Sequence, residues 1–79
     1  MKVTCRDKIR AVAQDNGWAP ISSLLSSDTF ARGDSTLLIF FNRRGTGVTG
    51  GVITVPGDSL RIKRTDHNKE EVILDFLKN

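Results

Sequence analysis

The chain contains too few cysteine and histidine residues for the covalent or metal-linked cores of many small proteins. It has one cysteine, Cys5, and one histidine, His67. One chain therefore has neither the thiol pair of a disulfide nor the four ligands of a tetrahedral zinc site. We expect no metal and no cofactor, and a lone cysteine is consistent with a reducing compartment. A domain of 79 residues buries only about 60–65% of its unfolded surface, so packing or self-association must supply its stability.

Long apolar segments are also missing. The longest uninterrupted apolar run, residues 37–41, is far shorter than the roughly 18 residues that a membrane-spanning helix needs. The first ten residues, MKVTCRDKIR, are charged and lack the apolar core of a secretory signal. We therefore expect no membrane association and a cytoplasmic location.

Catalytic groups are scarce. His67 is the one side chain suited to act as a base near neutral pH, and it follows Asp66. Adjacent residues just before a helix are more typical of caps than of a catalytic dyad. The serines between residues 22 and 27 have no recognisable nucleophile context. We predict no catalytic residues and no enzyme activity.

The N-terminal part predicts a helix over about residues 4–16. Thr4 and Asp7 have the spacing of an N-cap and an acidic third helical residue, and Gly17 supplies a left-handed stop. Trp18 then occupies the position that folds back onto the last turn, so we interpret it as core. The residues expected on the inner face of this helix are Cys5, Ile9, Val12 and Ala13.

Residues 29–64 predict an antiparallel sheet. The apolar run at residues 37–41 and the β-branched segment around Val52 are typical of the two strands of a central hairpin. Tight turns are predicted at Gly33 and Gly57, which connect one further strand on each side. The Ser-rich residues 19–28 are predicted to be irregular.

A second helix is predicted over about residues 68–78, with Asn68 as its cap and Glu71 as its third residue. Its expected inner face consists of Val72, Ile73, Phe76 and Leu77. The chain is thus predicted to be one α+β domain in the order αββββα. Its antiparallel meander of three or four strands would be covered on one face by both helices.

Residues 45–50, GTGVTG, match the phosphate-binding pattern G-x-G-x-x-G. A dinucleotide fingerprint needs a helix after the glycines, whereas this segment is followed by a strand-like sequence. We therefore interpret these glycines as residues that allow the backbone conformation of a twisted hairpin, and not as a phosphate site. The hairpin tip, residues 42–47, is cationic and expected to be mobile.

Positive charge is concentrated in the sheet region and suggests a nucleic-acid surface. Because tyrosine is absent and no surface aromatic is evident, duplex backbone contact is favoured over base stacking. Arg6, Arg10 and Gln14 repeat at helical spacing and are interpreted as a solvated face. The candidate binding surface consists of Arg32, Arg43, Arg44, Arg61, Lys63 and Arg64.

The segments NGW at residues 16–18, DTFARG at 28–33 and FNRRGTGV at 41–48 resemble those of small accessory proteins of actinobacterial phages. The resemblance extends over most of the chain, through an initial capped helix and a final short helix. It implies a phage context and no defined activity.

A second resemblance is to HicA-type toxin ribonucleases, whose fold is similar to a double-stranded-RNA-binding domain. It rests on the N-G-W-like helix end, the V-x-V-P-like strand end at residues 53–56 and the closing helix. The catalytic histidine of that family lies in a G-S-H motif near the start of the sheet. This chain has the sequence RGDS at residues 32–35 instead, so ribonuclease activity is not expected.

The function expected from the sequence is that of a non-catalytic binding module acting on a host or phage protein. The alternative is binding of duplex DNA or RNA through a basic sheet face and the hairpin tip. A homodimer formed through an exposed edge strand is also consistent with the small core.

Overall fold

The computed structural model describes residues 3–78, which form two helices and five strands. The elements are α1 (Cys5–Asp15), β1 (Ala19–Ser23), β2 (Ser27–Arg32), β3 (Ser35–Phe41), β4 (Val48–Val55), β5 (Asp58–Ile62) and α2 (Lys69–Lys78).

The strands form one antiparallel sheet in the order β1-β2-β3-β4-β5, so each strand pairs with its neighbours in sequence. The predicted α+β class and meander are confirmed, but the sheet has five strands instead of three or four. The additional strand is β1, which lies in the segment predicted to be irregular. Pro20 pairs with Phe30 and Ser23 pairs with Asp28, with a register irregularity between residues 20 and 22. Pairing with β2 outweighs the weak strand preference of a Ser-rich sequence.

Both helices contribute to a single core against one face of the sheet. Alternate residues of β3, namely Leu37, Ile39 and Phe41, point toward the helices, whereas Leu38 and Phe40 point to the opposite, open face. The fully or nearly fully buried apolar residues are Ile9, Ala13, Trp18, Phe30, Leu37, Ile39, Phe41, Ile53, Ile62, Ile73 and Leu77.

Helix α1 begins and ends as predicted. The Thr4 hydroxyl accepts from the Asp7 N–H at 3.1 Å, and the Asp7 carboxylate accepts from the Thr4 N–H at 3.3 Å. At the other end Gly17 has φ +80°, and the Trp18 N–H donates to the Ala13 carbonyl at 2.9 Å. Trp18 is buried in the core, where its indole N–H donates to the Leu77 carbonyl at 3.0 Å.

Helix α2 differs from its prediction at two positions. Val72 is exposed, whereas Leu74 packs partly against the core, so the inner face is rotated slightly toward Leu74. Asn68 precedes the helix with φ +61°, a left-handed conformation instead of the extended one that N-caps usually adopt. Its carbonyl accepts from the Val72 N–H at 3.0 Å and thereby begins the helical ladder.

Candidate binding surfaces

Asp28 is the central residue of a charged cluster between α1 and the β1–β2 hairpin. Its carboxylate is only 2% exposed. Arg6 donates to both carboxylate oxygens at 2.8 and 3.0 Å, and Arg10 donates to both at 3.0 Å. Ser23 donates its hydroxyl to Oδ1 at 2.8 Å. Every polar atom of this buried carboxylate therefore has strong partners, and we call these four residues the Asp28 cluster.

The charge of Asp28 is stabilised by these donors. Burial alone would raise the pKa of the carboxyl, but the hydrogen bonds from Arg6, Arg10 and Ser23 outweigh it and hold the pKa well below its usual range. The same hydrogen bond from Arg6 to Asp28 raises the pKa of that guanidinium. Asp28 is accordingly ionised at neutral pH, and the cluster is a buried ion pair of one acid with two bases.

Arg6 also fixes the turn between β1 and β2. Its guanidinium donates to the carbonyls of Leu24 at 2.6 Å, Leu25 at 2.8 Å and Ser27 at 3.2 Å. The backbone of the turn is thereby held toward α1, while the side chains of Leu24 and Leu25 are 66% and 89% exposed. We call residues 24–25 the leucine turn.

The interpretation of Arg6, Arg10 and Gln14 as a solvated helix face is therefore wrong for Arg6, whose side chain is 15% exposed. It holds for Gln14, which is exposed, and in part for Arg10, which is half-exposed but bound to Asp28. The i, i+4 spacing of Arg6 and Arg10 places them on one side of α1, as expected, but that side faces the β1–β2 hairpin. The partner, Asp28, is an isolated acid in a Ser-rich segment. Because residues 19–28 were predicted to be irregular, no signal connected this acid to the helix.

A cleft of ≈ 540 Å³ opens between α1 and β1, next to the leucine turn. Trp18, Pro20 and Phe30 form its apolar wall, and Arg10 and Asp28 lie on its polar side. Because Arg10 and Asp28 already bind one another, the surface of the cleft that is left for a ligand is mainly apolar. The cleft therefore suits an apolar side chain better than a charged one.

The predicted basic surface divides between the two faces of the sheet. Arg61 pairs with Val52 in the register, which places it on the open face, and Lys63, just after β5, lines the same groove as Arg61. Arg32 lies on the helix side, where its guanidinium stacks 4.6 Å from the centre of the Trp18 ring and donates to the Asn16 carbonyl at 3.1 Å. Arg32 is thus not part of a surface with Arg61 and Lys63.

A groove of ≈ 380 Å³ brings Arg61, Lys63 and Arg64 together with Phe40 on the open face. We call it the open-face groove. Phe40 is 42% exposed, so the expectation that no aromatic is available at the surface is wrong. Phe40 belongs to the apolar run of β3, and strand alternation alone places it outward once Leu37 and Ile39 are placed inward.

The remaining predicted cations, Arg43 and Arg44, are exposed in the loop between β3 and β4. Because β3 enters this loop and β5 runs toward the same end of the sheet, they lie at the end where Lys63 and Arg64 follow β5. The structure thus assembles Arg61, Lys63 and Arg64 in one groove. Arg43 and Arg44 lie at the same end of the sheet as this groove.

The G-x-G-x-x-G segment forms the loop and the start of β4, as the hairpin interpretation requires. Its last glycine, Gly50, lies close to β5, because an added Cβ would be 3.0 Å from the Ile62 carbonyl. At Gly51, directly after the segment, an added Cβ would lie 2.6 Å from the Leu38 carbonyl. The loop is held by internal bonds: the Asn42 N–H donates to the Gly47 carbonyl at 3.0 Å. It also contacts α1, because the Gly45 carbonyl accepts from the Arg6 N–H at 3.0 Å.

The reactive side chains of the sequence include those of Asp66, His67 and Cys5. The Asp66 carboxylate accepts from the Lys63 backbone N–H at 2.8 Å, and its neighbour His67 is exposed. Burial, together with the charge of Glu70, raises the pKa of the Cys5 thiol to about 11, which disfavours the nucleophilic thiolate. Within residues 3–78, no three His, Cys, Asp or Glu side chains are grouped so as to hold a metal ion.

No protein-family model, curated protein or solved structure matches this chain. The structure defines it as a small α+β domain whose five-stranded meander has a helix at each end. The resemblances to phage accessory proteins and to HicA-type toxins stay predictions. Neither helix in the described residues is of the length and apolar character that crossing a membrane requires.

Proposed function

We propose that the protein is a non-catalytic module that binds another protein through its β1–β2 hairpin. The observation that carries the proposal is the leucine turn. Leu24 and Leu25 expose most of their side chains to solvent while Arg6 holds both of their backbone carbonyls. Large apolar side chains at a surface are a recognised mark of protein contact sites.

The Asp28 cluster gives this turn a defined shape before it meets a partner. Binding normally costs free energy because flexible segments become ordered in the complex. Here the backbone is already held by the guanidinium of Arg6, which is itself held by Asp28. A buried ion pair contributes little net stability compared with an apolar core, so its value in this position is geometric.

The cleft beside the leucine turn supports an interface in which the protein both projects apolar side chains and receives one. The leucine turn projects two apolar side chains, and the cleft beside it offers an apolar wall of Trp18, Pro20 and Phe30. Ile21, also on β1, is 63% exposed. Interfaces of this kind concentrate their binding energy in a few apolar anchors and the pockets that receive them.

The resemblance to phage accessory proteins suggests a host or phage protein of the bacterial cytoplasm as the partner. A second copy of the chain is the other candidate. Addition of a strand to β1 is disfavoured because Pro20 lacks an N–H and the register is irregular there. The partner is therefore expected to contact side chains of the hairpin instead of extending the sheet.

Capture from an actinobacterial lysate with the tagged protein and with the double variant Leu24→Ser, Leu25→Ser tests the proposal. The wild-type protein should retain a defined partner after nuclease treatment and at moderate salt. The variant should bind that partner at least about 10-fold more weakly, since buried interface anchors commonly contribute 2 kcal/mol or more each.

The matched control is Leu60→Ser, because Leu60 is similarly exposed but lies on β5 at the opposite edge of the sheet. It should keep the partner. Equal recovery by the double variant and the control would contradict the proposal. Sedimentation equilibrium separates the two partners: a self-association lost only in the double variant identifies a second copy.

A further inference from the structure

We infer that the open-face groove is a second and separate binding site, with single-stranded nucleic acid as its ligand. The ring of Phe40 is placed to stack on a base, and Arg61, Lys63 and Arg64, which lie toward β5, are placed to contact phosphates of the same strand.

The register explains why Phe40 is accessible. Phe40 pairs directly with Gly50 on β4, and both face away from the helices. An added Cβ at Gly50 would lie 3.0 Å from the Ile62 carbonyl and 4.0 Å from Cδ2 of Phe40. The crowded backbone thus favours glycine at this position, and its missing side chain leaves a depression beside the ring. Because β4 places no side chain there, one side of Phe40 is left to a ligand.

The charge of the groove is available to a ligand. Within residues 3–78, ion pairs are formed by Arg6, Lys8 and Arg10, and none is formed by Arg61, Lys63 or Arg64. The acid nearest in sequence is Asp66, which is engaged with the Lys63 backbone N–H. The groove therefore combines three unpaired cations with an aromatic ring, and Arg43 and Arg44 extend positive charge at the same end of the sheet.

A single strand fits this combination better than a duplex. Phosphates of either ligand would be attracted to the three cations, and that attraction carries no information about strandedness. The exposed ring makes the difference, because the bases of a duplex already stack on each other and only an unpaired base presents its free face. The earlier expectation of duplex contact rested on the absence of a surface aromatic, which the position of Phe40 removes.

Fluorescence anisotropy with a labelled 12-nucleotide oligodeoxythymidine and a labelled 12-base-pair DNA duplex tests this inference. At 50 mM salt the protein should bind the single strand more tightly than the duplex. Phe40→Leu, which keeps an apolar side chain but removes the ring, should weaken single-strand binding about 5- to 100-fold, as expected for loss of one stacked base. It should change duplex binding little.

The double variant Arg61→Gln, Lys63→Gln should weaken binding of both probes and lower the salt slope for the single strand by about 1.4, as expected for two lost phosphate contacts. The control for charge removal elsewhere is Lys8→Gln on α1, which removes one positive charge where the groove variant removes two. The double variant of the leucine turn, Leu24→Ser, Leu25→Ser, is the second control. Both control variants should bind the oligonucleotide as the wild type does. The proposal for the leucine turn and the inference for the open-face groove can therefore fail independently of each other.

Three results would overturn the inference. They are no binding of the single strand at 50 mM salt, an unchanged affinity in Phe40→Leu, or an equal loss in Lys8→Gln and in the groove variant. Circular dichroism confirms folding of each variant. If Phe40→Leu does not fold, the comparison of the groove variant with Lys8→Gln still decides whether the cations of this face bind the strand.

Discussion

Two arginine-rich regions of this molecule use the same side chain in opposite ways. In the Asp28 cluster, Arg6 and Arg10 both bind one buried carboxylate, which offsets part of their charge within the fold. In the open-face groove, Arg61 and Arg64 lie beside an aromatic ring without an ion-pair partner among residues 3–78. The first region fixes the shape of a hairpin, and the second leaves its cations exposed to solvent.

The comparison shows that the number of basic residues is a poor guide to where an anion binds. Arg6 was interpreted as solvated but is held within the fold by Asp28, whereas Arg32 was assigned to a binding surface and stacks on Trp18. Whether an arginine is available depends on the nearest carboxylate, carbonyl or ring. These partners come from distant parts of the chain, as for the 22 residues that separate Arg6 from Asp28.

The largest effect is expected from Asp28→Ala, which removes the one acid of the Asp28 cluster. Two arginines would remain in a partly buried site without their partner, and loss of one member of a buried pair costs about 3–5 kcal/mol. Because Arg10 is half-exposed and can regain water, we expect a loss near the lower end. Urea denaturation measures it as a decrease in the free energy of unfolding.

Asp34→Ala is the control for that measurement, since Asp34 is exposed in the β2–β3 turn. Its effect should stay within about 0.5 kcal/mol. Similar losses in the two variants would show that the Asp28 cluster does not stabilise the fold.

The second prediction concerns acid. The pKa of Asp28 lies well below its usual range in the folded protein, whereas in the unfolded chain it is about 3.9. Its contribution is therefore complete above about pH 5 and is lost as the pH falls below the unfolded pKa toward the folded one. Urea denaturation from pH 7 to pH 2.5 should show this loss. Asp28→Asn, which has no carboxyl to titrate, should show a smaller decrease, and parallel curves would contradict the prediction.

Local patterns predicted the helices and the central hairpin well. The capping box at Thr4 and Asp7 and the left-handed Gly17 are found as expected, because caps depend on neighbouring residues only. The alternation of Leu60 and Ile62 with Arg61 and Lys63 predicts two inward aliphatic residues in the last strand. Ile62 is buried as this predicts and Arg61 faces outward, but Leu60 remains 56% exposed.

Long-range contacts could not be predicted in this way. Strand β1 exists because it pairs with β2, and its own sequence, APISS, contains little that favours a strand. The Asp28 cluster depends on that pairing, since the register places Ser23 opposite Asp28. Strand alternation places Phe40 outward, but the depression beside its ring depends on Gly50, its partner across the sheet. The candidate surfaces were therefore identifiable in part by their charges, but not by the partners that decide their roles.

The smallest effects on stability are expected from two single substitutions in the predicted basic surface, one on each face of the sheet. Arg32→Gln removes the stacking on Trp18 and a hydrogen bond to the Asn16 carbonyl, so we expect a loss of about 1 kcal/mol in the free energy of unfolding. Arg61→Gln removes no ion pair and should change stability by less than about 0.5 kcal/mol. Urea denaturation of both proteins measures the difference.

These two variants should behave in the reverse order when oligonucleotide binding is measured. Arg61→Gln should weaken the binding of oligodeoxythymidine, and Arg32→Gln should not, because Arg32 lies on the helix side of the sheet. If both variants weakened binding equally, the positive charge of the whole domain would attract the strand and the groove would have no special part in it. Opposite orders in the two measurements would instead show that partners within the fold decide whether an arginine stabilises the protein or binds a ligand.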